Sequence, residues 1–439
     1  MKTSRGTIDY MPEKQDRIKF ICETITKSAK QFGAQEIDTP TMELTSLLLN
    51  KYGKEAESKL IYKIIPDSEK EDSEKNALRY DLTVPFVRFA MTNGLESYRR
   101  IQVGKVYRRD PPSFVKGRFC EFIQADFDIL GPIGEPMVNE AEIMRLICLV
   151  MKRIGISGFE IRVNFRQNLE KIVELSCPDM KSKKRKKLFK SICCSIDKLD
   201  KEDWDYVGKE LVGKGLSEES VSKLRELLDG GFIDEGVNEL YSTFSKYCDC
   251  MGCDMDKIRF DTTLARGLDY YTGMIYEVSF VNTEKCSIGT IIAGGRYDKM
   301  IYRNKKGSRS YIPAIGVSFG VSRLELVMNE LGSVRKPWKI LIVGEKKYLK
   351  EKMQITNLLL NDPRTNGNEY QRQYVIKYFT EKKKNVNQIN YGIKNDFEYI
   401  IICGEDGDVN DNELNVKVKR NDHSEDKVCQ MSEVLDLLI

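Results

Sequence analysis

TLARGLDYYTGMIYE, residues Thr263 to Glu277, is the stretch on which the rest of the chain turns. Two runs suited to strands, IRFDTTLA (258–265) and MIYEVSFV (274–281), flank the segment from Arg266 to Gly273. Gly267, Asp269 and Gly273 predict a turn between paired strands. Within six residues that turn carries one guanidinium, one carboxylate and two phenols (Arg266, Asp269, Tyr270, Tyr271). Two readings stay open on composition. Arg266 pairs with Asp269 while the tyrosines pack into a core with their hydroxyls satisfied, or the four groups converge on a ligand.

RGLDYYTG followed by an aromatic-rich strand resembles the signature segment of histidyl-tRNA synthetases, and the remaining chain can be tested against that resemblance. At 439 residues it is long enough for two or three domains with proper cores. With 41% hydrophobic and 31% charged residues, the composition is that of an ordinary soluble protein. No apolar run reaches membrane-spanning length, so no membrane partner is expected, and nothing resembles a secretory signal. The opening MKTSRGTIDYMPEKQ is too short for a transit peptide ahead of the fold. A net charge of +4 is compatible with nucleic acid without arguing for it.

Twelve cysteines without a secretory signal predict reduced thiols and a cytoplasmic location. Cys248, Cys250 and Cys253 cluster in CDCMGC, where metal ligation and idle buried thiols both remain open, although the spacing fits no usual zinc pattern. The single histidine, His423, lies in the polar run RNDHSEDK. That argues against Ser-His-Asp hydrolysis and imidazole base catalysis. Arginines, carboxylates, tyrosines and bound ions are left to carry the chemistry.

In chain order, Ile18, Ile21, Ile25 and Ala29 predict an amphipathic helix over 13–32, ended by Gly33 and followed by the short strand QEIDTP. This helix–strand–proline unit resembles motif 1 of class II aminoacyl-tRNA synthetases, which implies a homodimer. Residues 66–76, PDSEKEDSEKN, read as a solvated loop. In RYDLTVP (79–85), Asp81 either caps the helix that follows or holds a cationic group together with Thr83. VYRRD (106–110), the loop PPSFVKG and RFCEFIQADFD (118–128) read as two antiparallel strands joined by a loop, resembling motif 2. Arginines there suit phosphate charge, whereas a solvated charged hairpin is the plain alternative. Gln124 and Asp128 share a strand face.

The pattern turns helical from about 166 to 256, with the basic run KSKKRKK (181–187) either solvated or touching a phosphate backbone. Ala293-Gly294-Gly295-Arg296-Tyr297-Asp298 reads as a Gly-Gly turn. PAIGVSFGVSRLE (313–325) runs from strand into helix with Arg323 near the helix start, and resembles motif 3. KILIVG (339–344), a helical 346–360, YQRQYVIKYF and EYIIICG (398–404) predict a small βα domain.

The resemblance implies an α+β fold. A class II antiparallel-sheet catalytic core in two parts, 1–165 and 257–332, would be interrupted by a helical insertion at 166–256. A linker at 333–338 and an α/β anticodon-binding domain at 339–439 would follow. It implies a histidine–tRNA ligase using ATP with Mg²⁺, with histidine and tRNA(His) as the other substrates. Asp81, Leu82, Thr83, Arg108, Gln124, Asp128, Arg266, Tyr270, Tyr271 and Tyr297 would hold histidine. Arg108, Asp110, Arg118, Phe122 and Arg323 would hold ATP, with Arg108 and Arg266 catalytic and no metal ligand assigned in the protein.

Three positions depart from the family pattern: Cys120 replaces an arginine, Ile8 replaces an arginine, and Phe165-Arg166-Gln167 is altered. The segments VYRRD and DFDILG look eukaryotic in type. Catalytically silent synthetase-like regulators, and a nucleic-acid-binding module without chemistry, are the alternatives.

Overall fold

The computed structural model describes residues 1–49, 60–64, 75–132, 134–268, 270–281, 288–305, 308–332, 338–361, 374–378, 384–404, 415–421 and 425–438. Asp269, His423 and nearly all of the expected 333–338 linker lie outside them. The chain divides into two compact units, Met1–Ser333 and Val334–Ile439.

Unit one opens with helix α1 (Pro12–Gln31). A proline at its first turn, where no backbone donor is needed, starts it, and Gly33 at φ +78° ends it. Ile18, Ile21, Ile25 and Ala29 are its buried stripe, as the helical spacing predicts. Then come β1 (Gln35–Glu36), β2 (Met42–Leu44), β3 (Asn76–Leu78), α2 (Thr83–Thr92), β4 (Tyr98–Tyr107) and β5 (Glu121–Leu130). Helix α3 (Val138–Ile154) and β6 (Phe159–Phe165) follow. The helices α4 (Arg166–Ser176), α5 (Ser182–Ile196), α6 (Trp204–Gly213), α7 (Glu218–Asp229) and α8 (Glu235–Cys250) come next. The unit closes with β7 (Ile258–Phe260), β8 (Met274–Phe280), β9 (Thr290–Arg296), β10 (Ile301–Lys305), β11 (Ser308–Ile312), β12 (Ala314–Gly320) and α9 (Val321–Glu330).

One eight-stranded sheet in the order β1-β4-β5-β12-β9-β8-β6-β7 is the frame. From β4 to β6 it is antiparallel throughout, with a parallel strand added at each edge. Because side chains alternate with period two, its two faces differ in kind. One face presents Ile101, Ala125, Phe127, Val317, Phe319, Ile292, Val278 and Val163 to the core shared with α1, α3 and α9. The opposite face is polar and is the one that concerns function.

Two expectations are corrected. The runs at 258–265 and 274–281 do not pair as a hairpin, because β6 lies between them, with Ile161 opposite Ile258 and Asn164 opposite Ile275. The amide of Asn164 at that strand's end donates to the carbonyls of Thr262 (3.2 Å) and Leu264 (3.0 Å), so the signature segment is a crossover tied to β6. Gly294 and Gly295 are likewise no turn but lie inside β9. A Cβ on Gly294 would stand 2.2 Å from the Gly316 carbonyl oxygen and 2.3 Å from the Tyr276 hydroxyl. The pair exists for close approach across the sheet.

Helices α4 to α7 close a second core with Leu264, Ala265 and Leu268 of the signature segment. In unit two, β13 (Trp338–Val343), α10 (Leu349–Leu360), β14 (Tyr374–Tyr378), α11 (Asn385–Lys394), β15 (Tyr399–Cys403), β16 (Asn415–Arg420), β17 (Lys427–Gln430) and α12 (Val434–Leu437) form a sheet ordered β14-β13-β15-β16-β17 with helices. Ile340, Ile342, Ile355, Leu359 and Ile401 are in its core.

Glu140 of α3 has no solvent exposure and binds Arg296 of β9 at 2.6 Å, tying helix to sheet. Removing one member of a buried pair leaves the other charge uncompensated. Glu140→Ala is therefore expected to destabilise the fold by about 3–5 kcal/mol in urea denaturation.

Candidate active site

On the polar face, β4, β5 and β12 bring three layers of side chains into register. Arg100 stands opposite Asp128, Gln102 opposite Asp126 and Gly104 opposite Gln124. From the other side, Gly316, Ser318 and Gly320 face Asp128, Asp126 and Gln124. Arg100 is fully buried, 2.6 Å from Asp128 Oδ2 and 3.7 Å from Asp126 Oδ2. It also donates to Gln102 Oε1 (3.0 Å) and to the Leu82 carbonyl (3.2 Å), and lies 4.7 Å from the Phe86 ring centroid. The Gln124 amide donates to Ser318 Oγ. Gly316 is required where it stands: a Cβ there would fall 1.9 Å from Asp128 Oδ1.

Three tyrosines wall this floor. The Tyr297 hydroxyl donates to Asp128 Oδ1 and is itself buried. Tyr270 donates to the Tyr271 hydroxyl at 3.2 Å, their ring centroids 4.3 Å apart. The Tyr271 ring is sandwiched between two glycines, since a Cβ on Gly267 (φ +68°) or on Gly295 would strike it at 2.3 Å and 2.8 Å. Burial, then the neighbouring Tyr271 and Asp81, push the Tyr270 phenol well above its ordinary range, with Arg108 pulling the other way. Tyr270 thus faces both Asp81 and Arg108. Asp81 Oδ1 accepts the backbone N–H of Val84 at 3.0 Å, so it does cap α2 while standing at the pocket. Thr83 is the half-buried first residue of that helix.

Beside the acidic pocket lies a basic one. Arg323, on the first turn of α9, donates to the carbonyls of Thr290 and Gly117. Burial and the charges of Arg118, Arg108 and Arg266 push its guanidinium down to about 10. Four arginines from four segments therefore converge. Arg266 and Arg323 meet at Thr290, Arg266 donating to its hydroxyl (2.6 Å) and Arg323 to its carbonyl. Arg108 packs over Tyr80 (4.3 Å) and Phe122 (5.1 Å), the side chain expected to take a base. Arg118 is exposed, and Asp110 sits near Tyr80. Arg266 pairs with Glu277 and with Asp197 (3.4 Å) at the end of α5, and its side chain stays 45% exposed. The Asp269 considered in sequence as its partner lies outside the described residues.

Several residues escaped the sequence reading. Arg166 of the altered stretch donates to the carbonyls of Leu268 (2.9 Å) and Tyr271 (3.0 Å), and Gln167 to that of Thr272 (3.3 Å). They clamp the signature loop from its C-terminal flank. Arg162 holds Glu277 at 2.9 Å, which in turn orients Arg266. Asp126 and Arg100 complete the acidic floor. The period-two rule that selected Gln124 and Asp128 passes through Asp126 between them, and that was the available signal.

Cys120 is buried beneath Gly6, where a Cβ would meet its sulfur at 2.3 Å, and its thiol donates to the Asp110 carbonyl at 3.7 Å. Of the cysteine cluster, Cys250 is exposed whereas Cys248 and Cys253 are buried. Cys253 instead meets Cys148 of α3, whose thiol is held protonated by that hydrogen bond and by burial. Among the described residues, no group of three His, Cys, Asp or Glu is placed to hold a metal ion.

Against known proteins, the family model described as histidyl-tRNA synthetase matches residues 6–324. The chain is similar to a probable cytoplasmic histidine–tRNA ligase of Encephalitozoon cuniculi (strain GB-M1), 33% identical over 92% of this chain and 91% of that protein. It is also similar to the cytoplasmic histidine–tRNA ligase of Dictyostelium discoideum, 34% identical over 95% of this chain and 86% of that one. A histidyl-tRNA synthetase structure from Nostoc sp. PCC 7120 shares the fold, with a TM-score of 0.78 at 20% identity over 100% of this chain and 99% of that one. So does an ATP phosphoribosyltransferase regulatory subunit/histidyl-tRNA synthetase from Bacillus halodurans C, with a TM-score of 0.66 at 18% identity over 89% and 96%.

Four converging arginines make a strong site for a polyphosphate. Inorganic pyrophosphate at about 100 times its Kd is expected to stabilise the full chain by about 2.7 kcal/mol, read as a rise in thermal midpoint. Arg323→Met should lose most of that rise.

Proposed function

The chain belongs to the histidyl-tRNA synthetase family, and from that membership we infer that it is a cytoplasmic histidine–tRNA ligase whose acidic pocket takes histidine and whose arginine cluster takes ATP. The observation that carries the site assignment is the placement of two chemically opposite pockets side by side on one sheet face. A carboxylate–tyrosine floor suits an ammonium group and an imidazole, whose two nitrogens each need a donor or an acceptor. A cluster of fixed positive charge suits a triphosphate.

In this arrangement Asp81, Thr83 and Gln124 receive the α-ammonium group, and Asp128 with Tyr271, Tyr270 and Tyr297 surrounds the ring. The backbone of Leu82 is held by Arg100, which fixes the approach of Asp81 and Thr83. Arg108, Arg118 and Arg323 receive the phosphates, with Phe122 against the base and Asp110 at the rim. Mg²⁺ arrives with ATP and neutralises phosphate charge when bound.

A carboxylate oxygen of histidine attacks the α-phosphorus, a bond to it forms, and the α–β phosphoanhydride breaks to release pyrophosphate. Arg108 and Arg266 neutralise the charge that builds on the α-phosphate oxygens. No side-chain base is needed, because the attacking carboxylate is already ionised. A terminal ribose hydroxyl of tRNA(His) then attacks the mixed anhydride and AMP leaves. Lys181, Lys183, Lys184, Lys186 and Lys187, all exposed at the start of α5, are available to phosphates of that tRNA. Helix α1 serves a homodimer, and unit two reads the anticodon.

A silent regulator needs none of the phosphate arginines, and here Arg108, Arg266 and Arg323 share one pocket. The test is histidine-dependent exchange of pyrophosphate into ATP without tRNA. Exchange should require histidine among the amino acids, and Arg266→Ala should lower its rate on the order of 10²–10³-fold with the fold intact. A folded wild type without exchange would overturn the ligase assignment.

A further inference from the structure

The floor of the acidic pocket holds two carboxylates against one guanidinium. Asp126 and Asp128 are 2% and 3% exposed, and Arg100 is not exposed at all. Arg100 is committed to Asp128 at 2.6 Å and stands off from Asp126 at 3.7 Å. Asp126 Oδ1 is buried and has no hydrogen-bond partner among the described residues. Around Asp126 stand Arg100 and Gln102 from β4, Asp128 on its own strand and Ser318 from β12. Asp81 from the start of α2, Tyr271 of the signature loop and Tyr297 after β9 also face it. Of these only Arg100 carries positive charge.

We propose that Asp126 is a positioning residue of the histidine pocket, taking up a proton when histidine binds so that Arg100 is left wholly to Asp128. Two desolvated carboxylates cannot both stay ionised over one cation at low cost. Asp128 keeps its charge because Arg100 and the Tyr297 hydroxyl both stabilise the ionised form. Asp126, in looser contact with the guanidinium, is the member that carries the proton.

In the free protein, burial pushes Asp126 up to about 7, with Arg100 and a hydrogen bond from Ser318 pulling down and Asp128 and Asp81 pushing further up. Histidine laid over the floor removes more water and raises the cost of a second negative charge. The ring brings no compensating proton at neutral pH, since an imidazole is mostly neutral above about 6.5. The proton comes from solvent and ends on the Asp126 carboxyl.

The sign follows. Free Asp126 loses its proton as the pH rises through about 7, whereas the complex keeps it. Apparent affinity for histidine therefore falls with rising pH, in a range where the ring itself no longer titrates. This assignment rests on histidine lying against Asp128.

Calorimetric titration of histidine into the full chain at about pH 8, in two buffers of different ionisation enthalpy, reads proton uptake directly. Close to one proton is expected for the wild type and much less for Asp126→Asn. The α-amine of histidine titrates alike in both, so the difference reports Asp126. Between about pH 7 and 8.5 the wild-type Kd should rise roughly tenfold more than that of the variant. A residue that merely fills space would move neither quantity. Equal uptake by both proteins, or none by the wild type, overturns the proposal, and the wild-type measurement stands even where the variant fails to fold. Asp128→Asn separates the two levels. If it leaves histidine affinity unchanged, histidine does not lie against Asp128 and the proposal falls with that placement.

Discussion

Everything at the site depends on the sheet being bare where β9 and β12 run side by side. Gly295 and Gly316 are paired across those strands. Asp128 lies over the second, and the Tyr271 ring lies over the first. Any side chain at either position would occupy the room in which the acidic floor and the tyrosine wall meet. Glycine in a strand interior ordinarily weakens it. Here the loss is offset from behind, where Val317, Phe319 and Ile292 bind the same strands to the helical layer. The polar face can therefore be open because the apolar face is closed.

The second pocket poses the opposite problem. Arg108, Arg118, Arg266 and Arg323 raise one another's energy, and Arg323 shows it by a guanidinium pushed down to about 10, by burial first and then by those three neighbours. The fold holds them through backbone carbonyls and a chain of carboxylates. Glu277 is shared between Arg162 and Arg266, and Asp197 reaches Arg266 from the helical block. That block also buries Leu264, Ala265 and Leu268, while Tyr270 and Tyr271 pack against the cluster of Phe86, Tyr297 and Ala314, so the loop bearing Arg266 is set by two cores at once. A bound phosphate, as proposed for this pocket, would offset that repulsion.

Local pattern made the first helix, the strand-to-helix passage into Arg323 and the faces of β5 legible from sequence, because each rests on spacing alone. Strand order was not legible. Nothing in IRFDTTLA or MIYEVSFV announces that Phe159–Phe165, about a hundred residues earlier, slides between them. The tight approach to Gly294 was hidden for the same reason, since the atoms that require it, the Gly316 carbonyl and the Tyr276 hydroxyl, belong to other strands. Arg166 looked like a departure from a pattern, yet its guanidinium holds two carbonyls of the signature loop. The candidate site residues were legible one by one, and their partners were not, because partners are a property of the register.

Arg100 and Asp126 show what register adds. Read along the chain, one is a basic residue in a strand and the other an acid between two better candidates. Across the ladder they stand two residues out of line, Arg100 opposite Asp128 and Gln102 opposite Asp126, which gives the guanidinium to the outer carboxylate and leaves the inner one short of charge. Apolar side chains of similar volume would often hold such a position at least as firmly as a buried ionic network. A network kept under that condition has to be explained by what it does to its neighbour rather than by what it adds to the fold. Its effect on Asp128 is specific: an acceptor fixed between Arg100 and Tyr297, with one oxygen over a glycine and no freedom to turn. In the histidine pocket proposed above, an acceptor so fixed would discriminate by geometry, because a ring that presents its N–H elsewhere cannot draw the carboxylate after it.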